Sequence, residues 1–163
     1  MSRDHRIVPT APTSASKTVR LGAGNTLGDR FDLKEQGKAV KLVAESRYDL
    51  CAAGDEIEGF ITSVEAATQN GYSIGGIVDK DAQWATADGL QATPGTGTIA
   101  IGDYVLAGTA TAKGTALAQY QKVTKATTQA NVKGSPYSWR VESLGPVGTG
   151  AVGTMIVIRR QAA

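Results

Sequence analysis

The chain has 163 residues, of which 41% are apolar and 6% aromatic; that length can bury one ordinary core without cross-links, but a core built on large rings is excluded. Histidine and cysteine occur once each, at His5 and Cys51, which excludes an intramolecular disulfide and any zinc cage or nucleophilic triad that needs imidazole and thiolate in groups. The formal net charge of +2 hides a basic start (residues 1 to 48), an acidic middle (49 to 103, Lys80 against nine acids) and a basic end (104 to 163, Glu142 against seven bases). Opposite patches of this kind favour contact with copies of the chain or with a charged partner, unless folding interleaves the segments and cancels them.

Residues 1–30 read as an extended arm. Pro9 and Pro12 stand among Ser and Thr, and Gly22, Gly24 and Gly28 follow, so little here can be buried and order must come from a partner. The apolar run of a signal peptide is missing from this stretch, and no run approaches a membrane span, so the expectation is a protein folded in the cytosol with no membrane contact.

From residue 31 to 163 the pattern is β-rich. Short runs of β-branched residues bounded by Gly, Asn, Asp or Pro predict strands over Lys38 to Glu45, Glu56 to Val64, Tyr72 to Val78, Gln83 to Ala87, Ile99 to Ala107, Tyr120 to Thr124, Ser138 to Leu144 and Thr154 to Arg160. Asn70-Gly71 suits the turn of a hairpin into Tyr72. Met155 to Ile158 lacks polar alternation, as a strand covered on both faces would. Helix signals are thin: Leu33 to Leu42 could hold a turn or two, while Gly114 and the threonines of Ala110 to Ala118 favour loop or strand. The sum predicts an all-β fold, a single β-sandwich or small barrel, anchored by Phe60, Trp84, Tyr104 and Trp139, with no convincing internal repeat.

Candidate chemistry is sparse. Gly148 to Gly153 spells GxGxxG, but a strand is predicted after it where a phosphate-binding turn needs a helix N-terminus. Asp55, Glu56 and Glu58 suit a solvated strand edge better than a calcium loop. Cys51 reads as a buried filler and His5 as a solvent-exposed arm residue. The basic residues of the last third lack interleaved aromatics or a reading helix, so no specific nucleic-acid binding is expected. Tyr48 to Ala53 resembles the first motif of trimeric dUTPases and Gly76 to Asp81 their third, where Asp79 or Asp81 would orient a water. Arg47 stands where that family has glycine, however, and its Pro-Arg-Ser-Gly segment has no counterpart between Ala53 and Gly76.

The order of AAGDEIEGFITSVE, NGYSIGGIV, GTIAIGDYVLAG and WRVESLGPVGTGAVGTMIVIRR resembles the capsid decoration, or cement, proteins of tailed double-stranded DNA bacteriophages, over about residues 38 to 160. That resemblance implies a jelly-roll-like or β-tulip-like module, made in the host cytoplasm and docked on the virion exterior. Its partner would be the major capsid protein, its own state a homo-oligomer (dimer or trimer), and it would be no enzyme and carry no cofactor. Within it, Ile7, Val8, Val19, Leu21 and Leu27 would anchor the arm, and Arg3, Arg6, Lys17 and Arg20 would steer it to acidic capsid surface. Two other classes stay open: a fibre-like or adhesin-like module that binds carbohydrate or protein, and the nucleotide hydrolase.

Overall fold

The computed structural model describes residues 17–22, 30–65, 73–78, 84–90 (backbone alone), 98–118, 120–135, 138–145, 148 and 155–160. Within them lie ten strands: β1 (Lys17–Leu21), β2 (Ala39–Ala44), β3 (Arg47–Leu50), β4 (Gly59–Glu65), β5 (Ser73–Val78), β6 (Trp84–Leu90), β7 (Tyr104–Ala107), β8 (Lys122–Lys125), β9 (Trp139–Ser143) and β10 (Met155–Arg160). A single-turn 3-10 helix spans Leu33–Glu35, and α1 spans Gln129–Lys133. The fold is all-β, as expected. Where one sandwich or barrel was anticipated, the strands close into two rings, β1-β3-β2-β4-β5 and β10-β6-β8-β7-β9.

Two strands were not anticipated, and the single helical turn of α1 was not either. β1 draws Lys17 to Leu21 into the first ring, antiparallel to β5 and parallel to β3. Its alternation puts Val19 and Leu21 inside with Phe31, Val40, Tyr48, Ile61, Val64 and Ile77, so two of its five residues are core. β3 follows β2 through a tight turn in which Ser46 takes a positive φ of 51°. Glycine and asparagine usually mark such turns, and neither is present.

The rings repeat one another strand for strand. β1 to β5 correspond in order to β6 to β10, with one parallel pair in each ring, β1 with β3 and β6 with β8. Correspondence extends to single residues. Val40 faces Leu50 and Gly59 in the first ring, and Val105 faces Lys125 and Trp139 in the second. Each ring breaks register at the same place, beside Ser63 and beside Ser143. Gly37, at φ 82°, donates to the Ile61 carbonyl (2.8 Å) just as Gly102, at φ 91°, donates to that of Val141 (2.9 Å). The first ring fills one internal position from β1, where Leu21 lies so close over Gly75 that a Cβ there would collide with it and with the Ser63 carbonyl. At the same two positions the second ring has Gly89 and buried Ile156. Bulk that enters from one strand in the first ring enters from the opposite strand in the second, which hides the repeat from the sequence.

A shared core joins the barrels. Ala39, Cys51, Ile57, Phe60 and Val78 of the first pack with Val105, Ala107, Val123, Trp139, Val141, Ile156 and Ile158 of the second. Trp139 is fully buried; its edge meets the Phe60 ring at 5.2 Å and 80°, and its indole N–H donates to the Ile57 carbonyl at 3.0 Å. The Gln121 side-chain oxygen accepts the Ala39 N–H at 3.0 Å. At the margin, Lys38 and Glu35 form a buried ion pair whose remaining valences hold the 112–114 loop: Lys38 Nζ donates to the Ala112 carbonyl (3.0 Å), and Glu35 accepts the Gly114 N–H. Lys113 lies over the Phe31 ring at 4.6 Å.

Breaking that pair from one side leaves a buried charge without its counter-ion. Lys38→Met and Glu35→Leu are each expected to lose about 3–5 kcal/mol of unfolding free energy in urea titrations, and the double variant to recover most of it. A double variant as unstable as the sum of the singles would contradict this account.

Candidate functional site

Of the residues assigned to the arm, Arg3, Arg6, Ile7, Val8 and Leu27 lie outside the described residues, as does His5. Lys17, Val19, Arg20 and Leu21 lie on β1. Val19 and Leu21 are committed to the first barrel's core and have no apolar surface left for a partner, which corrects their assignment as arm anchors. Lys17 is exposed and leans over the Tyr48 ring, its Nζ 5.5 Å from the centroid and 3.5 Å from the hydroxyl. Arg20 is half-buried opposite Arg47 in the parallel ladder.

The acidic residues at 55 to 58 are structural in part. Asp55 pairs with Lys41 at 2.6 Å and accepts the Ala52 N–H at 2.6 Å, which closes the Ala52 to Asp55 turn. Glu56 accepts the Ser135 hydroxyl across the joint at 2.7 Å. The dUTPase-like segment Tyr48 to Ala53 runs from β3 into the joint, and its Cys51 N–H donates to the Ala39 carbonyl at 3.0 Å. Asp79 and Asp81 are outside the described residues, as are Gly150 and Gly153 of the GxGxxG string. Among the described residues no three His, Cys, Asp or Glu side chains gather as metal ligands.

One backbone device recurs. The turn Ala52-Ala53-Gly54-Asp55 and the turn Ala100-Ile101-Gly102-Asp103 have the same build: a glycine at φ 88° or 91°, an aspartate N–H bonded to the alanine carbonyl at 3.1 Å, an alanine N–H bonded to the aspartate carboxylate, and a lysine on that carboxylate. Each turn clips one strand residue by both backbone groups. Gly102 and Asp103 hold Val141 within the second barrel, and Gly37 with Lys38 hold Ile61 in the first. Gly54 and Asp55 instead reach across the joint: Gly54 N–H donates to the Ala107 carbonyl at 2.8 Å, and Ala107 N–H donates to the Asp55 carbonyl at 2.9 Å. Only a residue at ease in the left-handed region can make this turn without strain. The Ala-x-Gly-Asp string, present twice, was the sequence signal for it.

The clip across the joint seals the end of β7, where that strand outruns β9. Ala107 is 0% exposed in consequence. The register of the first barrel puts Leu42 at the place of Ala107, since Leu42 faces Tyr48 as Ala107 faces Val123. There β2 outruns β4, which pairs only with Ala39 and Val40. Leu42 is 45% and Val43 39% exposed; among the described residues nothing caps this edge as Gly54 and Asp55 cap the other. The opposite asymmetry holds at the joint face itself. The places of Ala39, Phe60 and Val78 are taken in the second barrel by Tyr104, Arg140 and Arg159; α1 covers Tyr104 with Val132, and both arginines are exposed.

No family profile, curated protein or solved structure matches the chain.

Cys51 sits in the joint with its thiol 3.6 Å from the Glu56 carbonyl. Burial, with the nearby Asp55 carboxylate adding to it, pushes the thiol's pKa well above its ordinary value. The unfolded chain therefore loses this proton first as pH rises through about 8.5, so stability intact at neutral pH declines on the alkaline side. Lys41, held protonated chiefly by its hydrogen bond to Asp55, acts in the same direction as pH rises. In the native protein Cys51 is expected to react with a disulfide reagent more than about a hundredfold slower than in denaturant, and Cys51→Ala to flatten part of the alkaline decline in urea midpoint. Rapid stoichiometric labelling of the native protein would contradict the placement.

Proposed function

We propose that this chain is a structural decoration protein of a tailed-phage head, which binds the outer face of the major capsid shell and braces it by bridging capsid subunits. The reading rests on the resemblance of residues 38 to 160, and the observation that carries it further is the joint. Two barrels welded through a common core make a stiff body with two ends, and the outward side chains it offers include the aliphatic Leu33, Leu42, Val43 and Ile101. A brace needs stiffness between its contact points. Each contact adds buried area that must be exposed again before neighbouring subunits separate. Residues 1–16, basic and rich in Pro, Ser and Thr, suit a leader that orders on docking, and such segments cover wide surfaces at modest affinity per unit area.

The test is co-sedimentation with undecorated heads. Wild-type protein is expected to saturate them. Deletion must stop before Lys17, because a longer truncation removes β1 and with it Val19 and Leu21 from the core. Removal of residues 1–16 is expected to leave the thermal transition in place and to lower head occupancy. Failure of the wild type to sediment with heads overturns the reading; normal occupancy without residues 1–16 removes the leader from it.

A further inference from the structure

The internal repeat exposes a site that one barrel alone would not reveal. In the second barrel the protruding end of β7 is capped in cis by two backbone hydrogen bonds at Ala107, whereas its twin in the first barrel, the end of β2 at Leu42, has no such cap among the described residues, is 45% exposed and is flanked by apolar Val43. The backbone direction is fixed by the neighbours. Val40 uses its carbonyl to accept from Glu58 on the β4 side, so two residues later the N–H and C=O of Leu42 face the same, now vacant, side. An open strand end with an unpaired donor and acceptor beside two aliphatic side chains is a template for pairing.

We propose that this edge is an interface between two copies of the chain, with Leu42 of each copy pairing with Leu42 of the other across a two-fold axis. An antiparallel pair centred on one residue satisfies itself, because each Leu42 N–H donates to the other copy's Leu42 carbonyl. The two Leu42 side chains stand opposite each other on one face of that pair and bury one another, as the cap buries Ala107 within one chain, while Val43 adds its apolar surface on the other face. The internal joint is the argument for the occupant: the same strand end in the sister barrel is already closed by backbone from this chain, so its two-bond geometry suits protein main chain. The register break between Leu42 and Ala44 ends the pairing after this point, which keeps the contact short and confines it to a pair. This inference concerns self-association and does not rest on the capsid reading.

The experiment is sedimentation of the full chain over a concentration series, with amide hydrogen exchange on the same samples. Reversible dimerisation is expected, with the Leu42 amide slowing as the dimer fills. The pair Leu42→Lys and Val43→Glu is expected to weaken the dimer by at least about thirtyfold, while Leu33→Lys, an exposed position on the 3-10 turn, leaves it unchanged. Should the rim variant not fold, the exchange profile of Leu42 in the wild type decides alone. A chain that stays monomeric at every concentration, or a dimer in which Leu42 exchanges freely, overturns the proposal. So does a monomer whose rim variant loses head binding, since the edge would then belong to the capsid.

Discussion

The contact of Trp139 with Phe60 and with the carbonyl of Ile57 is the constraint on which the structure turns. An indole can be fully buried only if its N–H finds an acceptor, and here the acceptor belongs to the other barrel. Burying the ring therefore requires docking the barrels. Gln121 on Ala39 and the Gly54-Asp55 clip on Ala107 satisfy backbone groups that docking would otherwise strand away from water, and the Lys38–Glu35 pair closes the margin. Each barrel is small, with five short strands, and the core it would own alone is thin. The joint makes one continuous core from parts of two.

The internal repeat accounts for both the regularity and the departures from it. Two copies of one ring share a register, a bulge and a glycine clip, but a head-to-tail pair necessarily leaves one copy of each contact surface unused. At the outer end of the second barrel the unused surface has been covered by α1 and given Arg140 and Arg159 in place of Phe60 and Val78. Among the described residues the first barrel's unused edge at Leu42 has no such cover. A surface that was merely surplus would be expected to go the way of the first, toward charge, because bare strand ends invite unwanted association. Its apolar character is what singles it out.

Eight of the strands were legible in the sequence because a β-branched run between turn residues has few other solutions. β1 was hidden by its neighbours: KTVRL alternates properly, but it follows a polar, proline-bearing stretch and was read with it. β3 was hidden by its turn, since Ser46 adopts a left-handed conformation that the sequence does not announce. α1 has one buried residue, Val132, too few to produce a helical period. The repeat was illegible for a physical reason. Packing constrains the volume at a site jointly across strands, so Leu21 over Gly75 can become Gly89 and Ile156 with the fold intact and no identity preserved. The residues that were kept include the glycines that backbone geometry demands, Gly37 and Gly102, but also a few core positions, Val40 with Val105 and Ile77 with Ile158. The joint had one forewarning, Trp139 as an expected anchor, but which barrel would supply its partners depends on topology that no local pattern encodes.

Through their shared core the two barrels should unfold as a single cooperative body. Native-state hydrogen exchange at the amides of Ile77, in the first barrel, and Ile158, in the second, measures this most directly. Both should open with the same free energy, and Phe60→Ala should lower both by the same amount. Two distinct opening energies, with Phe60→Ala felt at Ile77 alone, would mean that the barrels are merely neighbours and that the brace has a hinge at its middle.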